Sequence, residues 1–330
     1  MNVLFFSAKS YDESFFTAAN HRFQHRLKFL ETRLTRDSVN LISDENALCV
    51  FVNDTLDRPM LSELKNRGIR IIALRCAGHD NVDLAAAAEY HIAVVNVPSY
   101  SPNAVAEHTV CLMLALNRKI HRAYSRVREG NFSLEGLIGF DFAGKTAGII
   151  GTGRIGSIVA RILLAFGMKV LAYDIQHSPA CEALGVQYVE KNDLFTEADV
   201  ISLHCPLTDK TRRMIDAQAI ARMKNQVMLI NTSRGAVLDT CAVITALKQK
   251  KIGYLGLDVY EHERDLFFRD RSCEIIQDDL FERLLSFPNV LVTGHQGFFT
   301  TEAMQNIAST TLQSLSAFEN EQPLPHALHP

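Results

Sequence analysis

The chain has 330 residues, of which 47% are hydrophobic and 22% charged, and its formal net charge is −3. A chain of this length is expected to form about two domains, with cores large enough to need no support from metals or disulfides. The 34 basic and 37 acidic residues leave no basic surplus to neutralise a phosphate backbone, so we expect no nucleic-acid partner.

Membrane insertion and secretion are also not expected. The longest continuous apolar run, Val110–Leu116, is too short to cross a bilayer. The residues from Met1 to Ser7 lack a positively charged leader, so a first β-strand is expected there rather than a signal peptide. The seven cysteines are scattered and form no CxxC pair, which argues against a disulfide framework or a metal site and favours a reducing compartment. We therefore expect a cytoplasmic protein with no metal centre.

Short apolar runs alternate with helix-like stretches along the first hundred residues. Strands are expected at Val3–Ala8, Ala47–Val52, Arg70–Leu74 and Ile92–Val97. Helices are expected between them at Asp12–Arg22, Pro59–Arg67 and Val82–His91. The alternation of continuous apolar strands with helices indicates a parallel sheet that is covered on both faces.

Two prolines break this rhythm between Pro98 and Pro102 and predict an extended linker. We expect a domain boundary there, with residues 1–100 and 299–330 in one domain and residues 101–298 in the other. One long helix is expected at Asn103–Tyr124, and it is apolar on nearly all sides around Val110–Leu116. Either domain packing or a subunit interface would cover such a helix, and Cys111 is expected to be buried within it.

The second half of the chain repeats the strand and helix alternation. Strands are expected at Ala147–Ile150, Lys169–Asp174, Val186–Val189, Val200–His204, Val227–Asn231, Tyr254–Val259 and Val290–Thr293. Helices are expected at Ile155–Phe166, Ala217–Lys224, Cys241–Lys250 and Thr301–Phe318. The pattern predicts an α/β protein with two doubly wound parallel-sheet domains, the second of them a nucleotide-binding domain.

A glycine motif follows the expected strand Ala147–Ile150. The residues Gly151 to Gly156 fit GxGxxG and open the next helix, where this motif must lie to hold a dinucleotide. Gly151 permits a tight turn, and Gly153 lets the backbone approach a pyrophosphate at the helix N-terminus. Gly156 allows close contact between helix and strand. We include Arg154 and Ile155 among the cofactor-binding residues, since Arg154 can add a charge-assisted contact to phosphate.

An acidic residue, Asp174, ends the next strand, 18 residues beyond Gly156. A carboxylate at this position accepts hydrogen bonds from an adenosine ribose and repels a 2′-phosphate. The two residues that follow are Ile175 and Gln176, so no arginine stands beside it. The expected cofactor is therefore NAD rather than NADP.

Three further segments carry polar residues just after apolar strands: Asn231–Gly235, Asp258–Glu263 and Gly294–Gly297. The carboxyl ends of strands in an open α/β sheet face the ligand crevice. We therefore expect an arginine, a glutamate and a histidine to converge beside the nicotinamide.

These motifs together resemble one family over essentially the whole chain, the D-isomer-specific 2-hydroxyacid dehydrogenases. The matching stretches are Gly151–Gly156, His204–Thr208, Asn231–Gly235, Asp258–Glu263 and Gly294–His295. Within the family the chain is most similar to the bacterial fermentative D-lactate dehydrogenases, through Phe51–Asp54, Ala73–Gly78, Asn131–Gly136 and Arg264–Phe268. The resemblance implies a flavodoxin-like substrate domain and a Rossmann NAD-binding domain with a cleft between them, in a homodimer or homotetramer.

The resemblance also implies a catalytic trio of Arg234, Glu263 and His295. A histidine can move the proton on the substrate oxygen because its intrinsic pKa lies near working pH. Glu263 would orient the ring and favour its protonated form. Arg234 would clamp the substrate carboxylate with its planar fork of donors.

Further site residues are implied by the same resemblance. The expected substrate-binding residues are Ala77, Gly78, Tyr100, Arg234 and Phe298, and the cofactor residues beyond the glycine motif and Asp174 are His204, Cys205, Pro206, Thr232, Ser233 and Asp258. One departure is that some D-lactate dehydrogenases carry a tyrosine where this chain has Phe299. A hydroxyl near the substrate is then missing.

Three functions remain open on this basis. The first is reversible reduction of pyruvate to D-lactate by NADH. The second keeps the mechanism and changes the substrate to glyoxylate, hydroxypyruvate or a longer 2-ketoacid. The third is an NADH-sensing corepressor that binds partner proteins, because fold alone does not settle function. Retention of all three catalytic residue types favours an enzyme.

Overall fold

The computed structural model describes residues 1–330, except for the side chain of Asp265. The chain divides into two compact units. The first comprises Met1–Ser101 and Phe299–Pro330, and the second comprises Pro102–Phe298. Among the described residues, we find no helix with the length and apolar character needed to cross a membrane.

The first unit begins with alternating strands and helices. Its strands are β1 (Asn2–Phe5), β2 (Arg26–Phe29), β3 (Ala47–Val50), β4 (Ile71–Leu74) and β5 (Ala93–Val95). Its helices over this stretch are α1 (Ser10–Asn20), α2 (Arg58–Asn66) and α3 (Leu84–Glu89), with a 3-10 turn at Ser38–Leu41. Local chemistry sets the ends of α2: the Asp57 side chain accepts a hydrogen bond from the Met60 amide, and Gly68 beyond the end has a φ of +82°.

The second unit continues the alternation from Pro102. Its helices are α4 (Pro102–Arg118), α5 (Ile120–Arg128), α6 (Arg154–Ala165), α7 (Pro179–Ala183), α8 (Lys191–Glu197), α9 (Ala217–Arg222), α10 (Thr240–Lys248) and α11 (Asp279–Leu285). Its strands are β6 (Thr146–Ile150), β7 (Lys169–Tyr173), β8 (Gln187–Tyr188), β9 (Val200–Leu203), β10 (Val227–Asn231), β11 (Ile252–Leu257) and β12 (Val290–Val292). The chain then returns to the first unit and adds α12 (Thr301–Glu319).

The strands form two parallel sheets in the part of the chain that the structure describes. The sheet of the first unit has the order β2-β1-β3-β4-β5, which is the flavodoxin-like order. The sheet of the second unit has the order β12-β11-β10-β9-β6-β7-β8. Its chain path reverses between β6 and β9, and such a switch point is where doubly wound sheets bind ligands. The predicted α/β class with two parallel-sheet domains is confirmed.

Strand β10 shows how the second sheet is buried. Val227 and Leu229 belong to a hydrophobic cluster on one face, whereas Met228 and Ile230 belong to a cluster on the other. All four side chains are at most 1% exposed. Successive side chains of a strand point to opposite faces, so helices cover both sides of this sheet, as the continuous apolar runs predicted.

The prediction of one helix over Asn103–Tyr124 is wrong. Helix α4 ends at Arg118 and α5 begins at Ile120, because Lys119 between them has a φ of +52°. A left-handed residue cannot continue a right-handed helix. Strand β2 was not anticipated. It is short, at the edge of its sheet, and carries Arg26 and Lys28, so no apolar run marks it.

The expectation that Cys111 is buried is also wrong, since its side chain is exposed. Helix α4 packs on α6, β10 and β11 within the second unit. Val110, Leu112, Met113 and Leu116 are buried in those contacts, and Cys111 lies on the side facing away from them. Packing within the unit therefore accounts for much of the apolar surface of α4.

Candidate active site

His295 and Glu263 form a hydrogen-bonded pair at the carboxyl edge of the second sheet. His295 follows β12 and Glu263 follows β11, and Nδ1 of the ring lies 2.7 Å from Oε1 of the carboxylate. The two side chains are 22% and 20% exposed, so both are shielded yet reachable from solvent. The ring of Phe268 packs beside His295, with centroids 5.6 Å apart.

The second carboxylate oxygen of Glu263 is held by the backbone. The Tyr260 amide donates to Oε2 at 2.9 Å, which leaves Oε1 for the imidazole. Tyr260 is itself buried, and its hydroxyl hydrogen-bonds to the carboxylate of Asp278 at 2.9 and 3.0 Å. Glu263 is therefore fixed in orientation by groups of the protein itself.

The backbone of His295 is in the left-handed region, with a φ of +55°. That conformation is unusual for a residue with a side chain and needs support from its surroundings. Asp258 supplies support, because its carboxylate accepts hydrogen bonds from the amides of Gln296 at 2.9 Å and Gly297 at 2.8 Å. A buried carboxylate thus holds the turn that carries the histidine.

The electrostatics of this site favour a protonated His295. Burial of the ring by itself lowers the pKa of His295, but the hydrogen bond and the charge of Glu263 more than offset it. The charge of Asp258 acts in the same direction, and that of Arg234 opposes it. The net result is a pKa of His295 above its ordinary value. Burial by itself raises the pKa of Asp258, but the hydrogen bonds from His108 and Thr293 and the charges of His108 and His295 outweigh it. The pKa of Asp258 is therefore lowered, and this carboxylate stays charged.

Arg234 lies in the turn that follows β10. Its Nη1 donates to the Ser233 carbonyl at 2.9 Å, and its own carbonyl accepts from the Asn231 side chain at 2.9 Å. A Cβ placed on the next residue, Gly235, would lie 2.0 Å from the carbonyl carbon of Tyr260. Glycine is therefore required there, and its absence of a side chain lets the turn bearing Arg234 pack against the segment that leads to Glu263.

The glycine motif adopts the geometry that a dinucleotide needs. Gly151 has a φ of +94°, which favours glycine, and a Cβ on Gly156 would lie 1.9 Å from the Gly151 carbonyl oxygen. A Cβ on Gly153 would meet nothing within 4 Å, and Gly153 is the N-cap of α6 without a side-chain hydrogen bond. The N-terminus of α6 thus faces open space and fits a diphosphate group. Arg154, which is exposed, and Ile155 form its first turn.

Asp174 lies directly after β7, as the motif requires. Its Oδ2 accepts hydrogen bonds from the Thr152 amide at 2.6 Å and the Thr152 hydroxyl at 3.1 Å. The Tyr188 hydroxyl donates to Thr152 in turn, at 2.8 Å. This network ties the carboxylate to the glycine turn, so the groups expected to hold ribose and diphosphate are mutually oriented.

The segment after β9 supplies three other expected cofactor residues, His204, Cys205 and Pro206. Burial lowers the pKa of His204 to about 3, so the ring is neutral, and Ser202 Oγ lies 2.8 Å from its Nε2. Burial likewise raises the pKa of the Cys205 thiol to about 11. Both groups are uncharged at neutral pH. They abut the glycine turn, since a Cβ on Gly151 would lie 2.7 Å from the His204 carbonyl carbon.

The substrate-binding residues expected in the first unit follow β4 and β5. The Asn96 side chain donates to the Ala77 carbonyl at 2.7 Å, and the Cys76 thiol donates to the Gly78 carbonyl at 3.3 Å. With their carbonyls engaged in this way, the turn that carries the Ala77 and Gly78 amides is fixed. Tyr100 is anchored through its own carbonyl, which accepts from Asn306 at 2.7 Å.

Sequence reasoning missed a buried arginine that supports this turn. Arg75 is 2% exposed and donates to the carbonyls of Phe6 at 3.0 Å and Ser7 at 2.7 Å. Its Nε lies 3.3 Å from Asp12 Oδ1, so the buried charge has a partner. An arginine inside the Ala73–Gly78 match was the available signal, but its burial depends on contacts with residues more than sixty positions away.

The NAD binding domain of the D-isomer specific 2-hydroxyacid dehydrogenases matches residues 110–297, which lie within the second unit. The D-lactate dehydrogenase of Escherichia coli is 52% identical over 328 residues, covering 99% of this chain and all of that protein. The chain belongs to the D-isomer-specific 2-hydroxyacid dehydrogenase family.

Solved structures of this family agree over the full length. The apo structure of D-lactate dehydrogenase from Escherichia coli has a TM-score of 0.92 and 50% identity, covering 99% of this chain and 100% of that one. The D-lactate dehydrogenase from Aquifex aeolicus complexed with NAD and lactic acid has a TM-score of 0.88 and 35% identity, covering 100% and 99%. The second unit of this dehydrogenase is accordingly a Rossmann NAD-binding domain, and the cofactor prediction of NAD is confirmed.

Proposed function

We propose that this dehydrogenase is an NAD-dependent D-lactate dehydrogenase that reversibly reduces pyruvate to D-lactate. The observation that carries the proposal is the 2.7 Å contact between His295 and Glu263 at the carboxyl edge of the NAD-binding domain. The 52% identity to the Escherichia coli D-lactate dehydrogenase supports pyruvate as the substrate. The assignment of residues 1–100 and 299–330 to a substrate domain is part of the proposal.

His295 has the role of the proton carrier. Its Nδ1 is engaged by Glu263, which leaves Nε2 as the ring atom that delivers a proton to the carbonyl oxygen during reduction. In lactate oxidation the same atom takes the proton from the hydroxyl. Glu263 stabilises the imidazolium and fixes which nitrogen faces the substrate, so the pair acts as an acid in one direction and a base in the other.

Arg234 has the role of the carboxylate clamp. A guanidinium presents a planar fork of donors that matches a carboxylate, and its fixed charge also polarises the neighbouring carbonyl. In this proposal the Ala77 and Gly78 amides bind the same carboxylate, and Tyr100 and Phe298 contact the substrate. The hydrogen bonds that fix the turn of Ala77 and Gly78 support the assignment, because a fixed turn loses little entropy on binding.

When bound, NADH supplies the hydride that reaches C2 of the substrate. The residues proposed to hold the cofactor are Gly151, Gly153, Arg154, Ile155, Gly156, Asp174, His204, Cys205, Pro206, Thr232, Ser233 and Asp258. Asp174 would hold the ribose hydroxyls and the N-terminus of α6 the diphosphate. His204 and Cys205 are neutral and would suit an apolar wall of the cofactor site, since neither places a charge beside the rings of NADH.

The test is NADH oxidation with a panel of 2-ketoacids: pyruvate, glyoxylate, hydroxypyruvate and longer analogues. We expect pyruvate to have the highest kcat/KM. His295→Gln should lower kcat by roughly 10²–10⁴-fold, the range for a lost general acid. Arg234→Lys should damage both KM and kcat, because a lysine keeps the charge but loses the fork. Preference for another 2-ketoacid would keep the proposed mechanism but change the assigned substrate. If none of the 2-ketoacids is turned over, an NADH-sensing binding protein becomes the favoured function.

We also propose a cytoplasmic homodimer or homotetramer. Within the described part of the chain no disulfide joins any of the seven cysteines, which suits a reducing compartment. Helix α5 and the segment after it expose large apolar side chains, among them Tyr124 (63%), Phe132 (74%) and Leu134 (83%). Contiguous exposed apolar surface favours association. Light scattering of the purified protein tests this, and a monomer at micromolar concentration would refute it.

A further inference from the structure

Two adjacent residues of α4, His108 and Thr109, each contact a turn that carries an expected catalytic residue. His108 Nε2 lies 3.0 Å from the Thr293 hydroxyl, just before the His295 turn. Thr109 Oγ1 lies 2.8 Å from the Thr232 hydroxyl, just before Arg234. Neither residue of α4 is among the proposed catalytic, substrate-binding or cofactor-binding residues, and both contacts lie within the second unit.

The hydrogens in the first contact have a defined direction. The Thr293 hydroxyl donates to Asp258 Oδ1 at 2.5 Å, so its oxygen accepts from His108. His108 must therefore carry its proton on Nε2, and the same N–H lies 3.3 Å from Asp258 Oδ1. The result is a chain of hydrogen bonds in which His108 of α4 donates to Thr293 and Thr293 donates to the buried carboxylate of Asp258.

Asp258 passes this support on to the catalytic histidine. Its carboxylate holds the amides of Gln296 and Gly297, which directly follow His295 in its left-handed conformation. The packing is tight, because a Cβ on Gly297 would lie 2.9 Å from Asp258 Oδ2 and 3.2 Å from His108 Cδ2. A displacement of the His108 imidazole would therefore be transmitted to the His295 turn through the carboxylate of Asp258.

The second contact has a defined direction as well. The Thr109 hydroxyl donates to the Val105 carbonyl at 2.7 Å within α4, so its oxygen accepts from the Thr232 hydroxyl. Both threonines are buried, at 0% and 8% exposure. A buried hydroxyl that loses its hydrogen-bond partner destabilises the fold, so this contact holds the turn leading to Arg234 in register with α4.

We propose that His108 and Thr109 are positioning residues that set the His295 turn and the Arg234 turn against one rigid helix. The inference rests on the proposed function, since it assigns proton transfer to one turn and carboxylate binding to the other. Helix α4 thereby fixes the relation between the group that moves the proton and the group that holds the substrate. Each contact then has its own kinetic signature.

The experiment compares His108→Leu with Thr109→Val, which remove the two hydrogen bonds at similar side-chain volume. His108→Leu should lower kcat for pyruvate reduction roughly tenfold and change KM for pyruvate less than twofold, because proton transfer depends steeply on position. Thr109→Val should raise KM for pyruvate roughly tenfold, on the scale of one charged hydrogen bond. His108→Gln and Thr109→Ser, which restore a hydroxyl or N–H partner, should recover most of each loss.

Cys111→Ala on the exposed side of α4 is the matched control and should change neither parameter. A second readout needs no turnover: the pKa of His295, followed by NMR of its ring proton in the cofactor-free protein. His108→Leu should lower this pKa because the contact with Glu263 loosens, and Thr109→Val should leave it unchanged.

Identical kinetic changes in the two variants, or a pKa of His295 that does not move in His108→Leu, would overturn the proposal. Loss of thermal stability with unchanged kcat and KM would also overturn it and leave α4 a purely structural element. If the wild-type protein does not turn over pyruvate, the proposed function fails on its own. The NMR comparison still decides whether His108 positions His295.

Discussion

Oε1 of Glu263 lies 2.7 Å from Nδ1 of His295, while its other oxygen is bound by the Tyr260 amide. Both oxygens of the carboxylate are thus hydrogen-bonded, one to the backbone and one to the imidazole. A fixed carboxylate stabilises the imidazolium without having to reorganise when the proton moves. The pair that we propose for proton transfer is therefore held in place by hydrogen bonds of the protein itself.

This relationship predicts the pH dependence of a Glu263→Gln variant. Glu263 raises the pKa of His295, so loss of its charge should lower that pKa. Pyruvate reduction needs the protonated ring, and its rate should then fall away at a lower pH than in wild type. Lactate oxidation needs the neutral ring and should persist to lower pH. Rate profiles in both directions measure the shift.

The same pair makes a contribution to folding stability that depends on pH. The folded-state pKa of His295 is raised above its unfolded value, so the contribution is fully present below the unfolded pKa. It is lost as the pH rises through the folded pKa. Glu263→Gln should therefore cost more stability in mildly acidic buffer than in alkaline buffer, as measured by urea unfolding. An equal loss at both pH values, or a reduction limb that moves to higher pH, would contradict the role of Glu263.

Two glycines of the cofactor motif should respond differently to alanine. Gly153→Ala should fold with a near wild-type Tm, since a Cβ there meets nothing within 4 Å, yet it should bind NADH weakly because the methyl group occupies the space of the diphosphate. Gly156→Ala should lower both Tm and NADH affinity, because its Cβ would lie 1.9 Å from the Gly151 carbonyl oxygen. Thermal unfolding and NADH fluorescence titration distinguish the two. Unchanged NADH affinity in Gly153→Ala would show that the diphosphate does not bind at the N-terminus of α6.

Asp174 should determine the choice between NADH and NADPH. We expect the wild type to prefer NADH, and Asp174→Ala to narrow the ratio of kcat/KM values by roughly 10–100-fold, the scale of charged hydrogen bonds. The neighbouring Ile175, which is 96% exposed, provides the control, and Ile175→Ala should leave the ratio unchanged. A wild-type preference for NADPH would show that Asp174 does not hold the ribose.

The ring pair of Tyr11 and Phe299 should limit the size of the substrate side chain. The two centroids are 4.7 Å apart in an edge-on arrangement, and Phe299 is 47% exposed at the start of the segment that leads to α12. Phe299→Ala should raise kcat/KM for a 2-ketoacid with a longer side chain relative to pyruvate, by roughly the 10-fold that a methylene or two is worth in a pocket. Tyr11→Phe keeps the ring contact and serves as the control. An unchanged ratio in Phe299→Ala would place the side-chain pocket elsewhere.

Much of the fold and the family followed from local sequence patterns. Strands β3, β4 and β10 are buried on both faces, and each is therefore encoded by a continuous run of mostly apolar residues that is visible in the sequence. The glycine motif was recognisable because the φ of +94° at Gly151 and the close approach of Gly156 to the Gly151 carbonyl oxygen both require glycine within six residues of chain. Such features depend on residues near in sequence, and sequence reasoning reaches them.

Other features depend on contacts between distant residues and were missed. His108 looked like one more polar residue of an apolar helix, and its partner Thr293 is 185 positions away. The break at Lys119 was equally hidden, because lysine is a good helix former and its φ of +52° is imposed by the fold. The exposure of Cys111 likewise depends on which side of α4 meets the sheet.

The most direct test of the central claim is the oxidation of the two lactate enantiomers with NAD, followed by the appearance of NADH. We expect turnover of D-lactate and none of L-lactate, because Arg234 and His295 would hold the carboxylate and the hydroxyl so that only one enantiomer presents its C2 hydrogen to the nicotinamide. The His295→Gln variant should lose this activity by roughly 10²–10⁴-fold. Turnover of L-lactate at a comparable rate, or of neither enantiomer, would contradict the account.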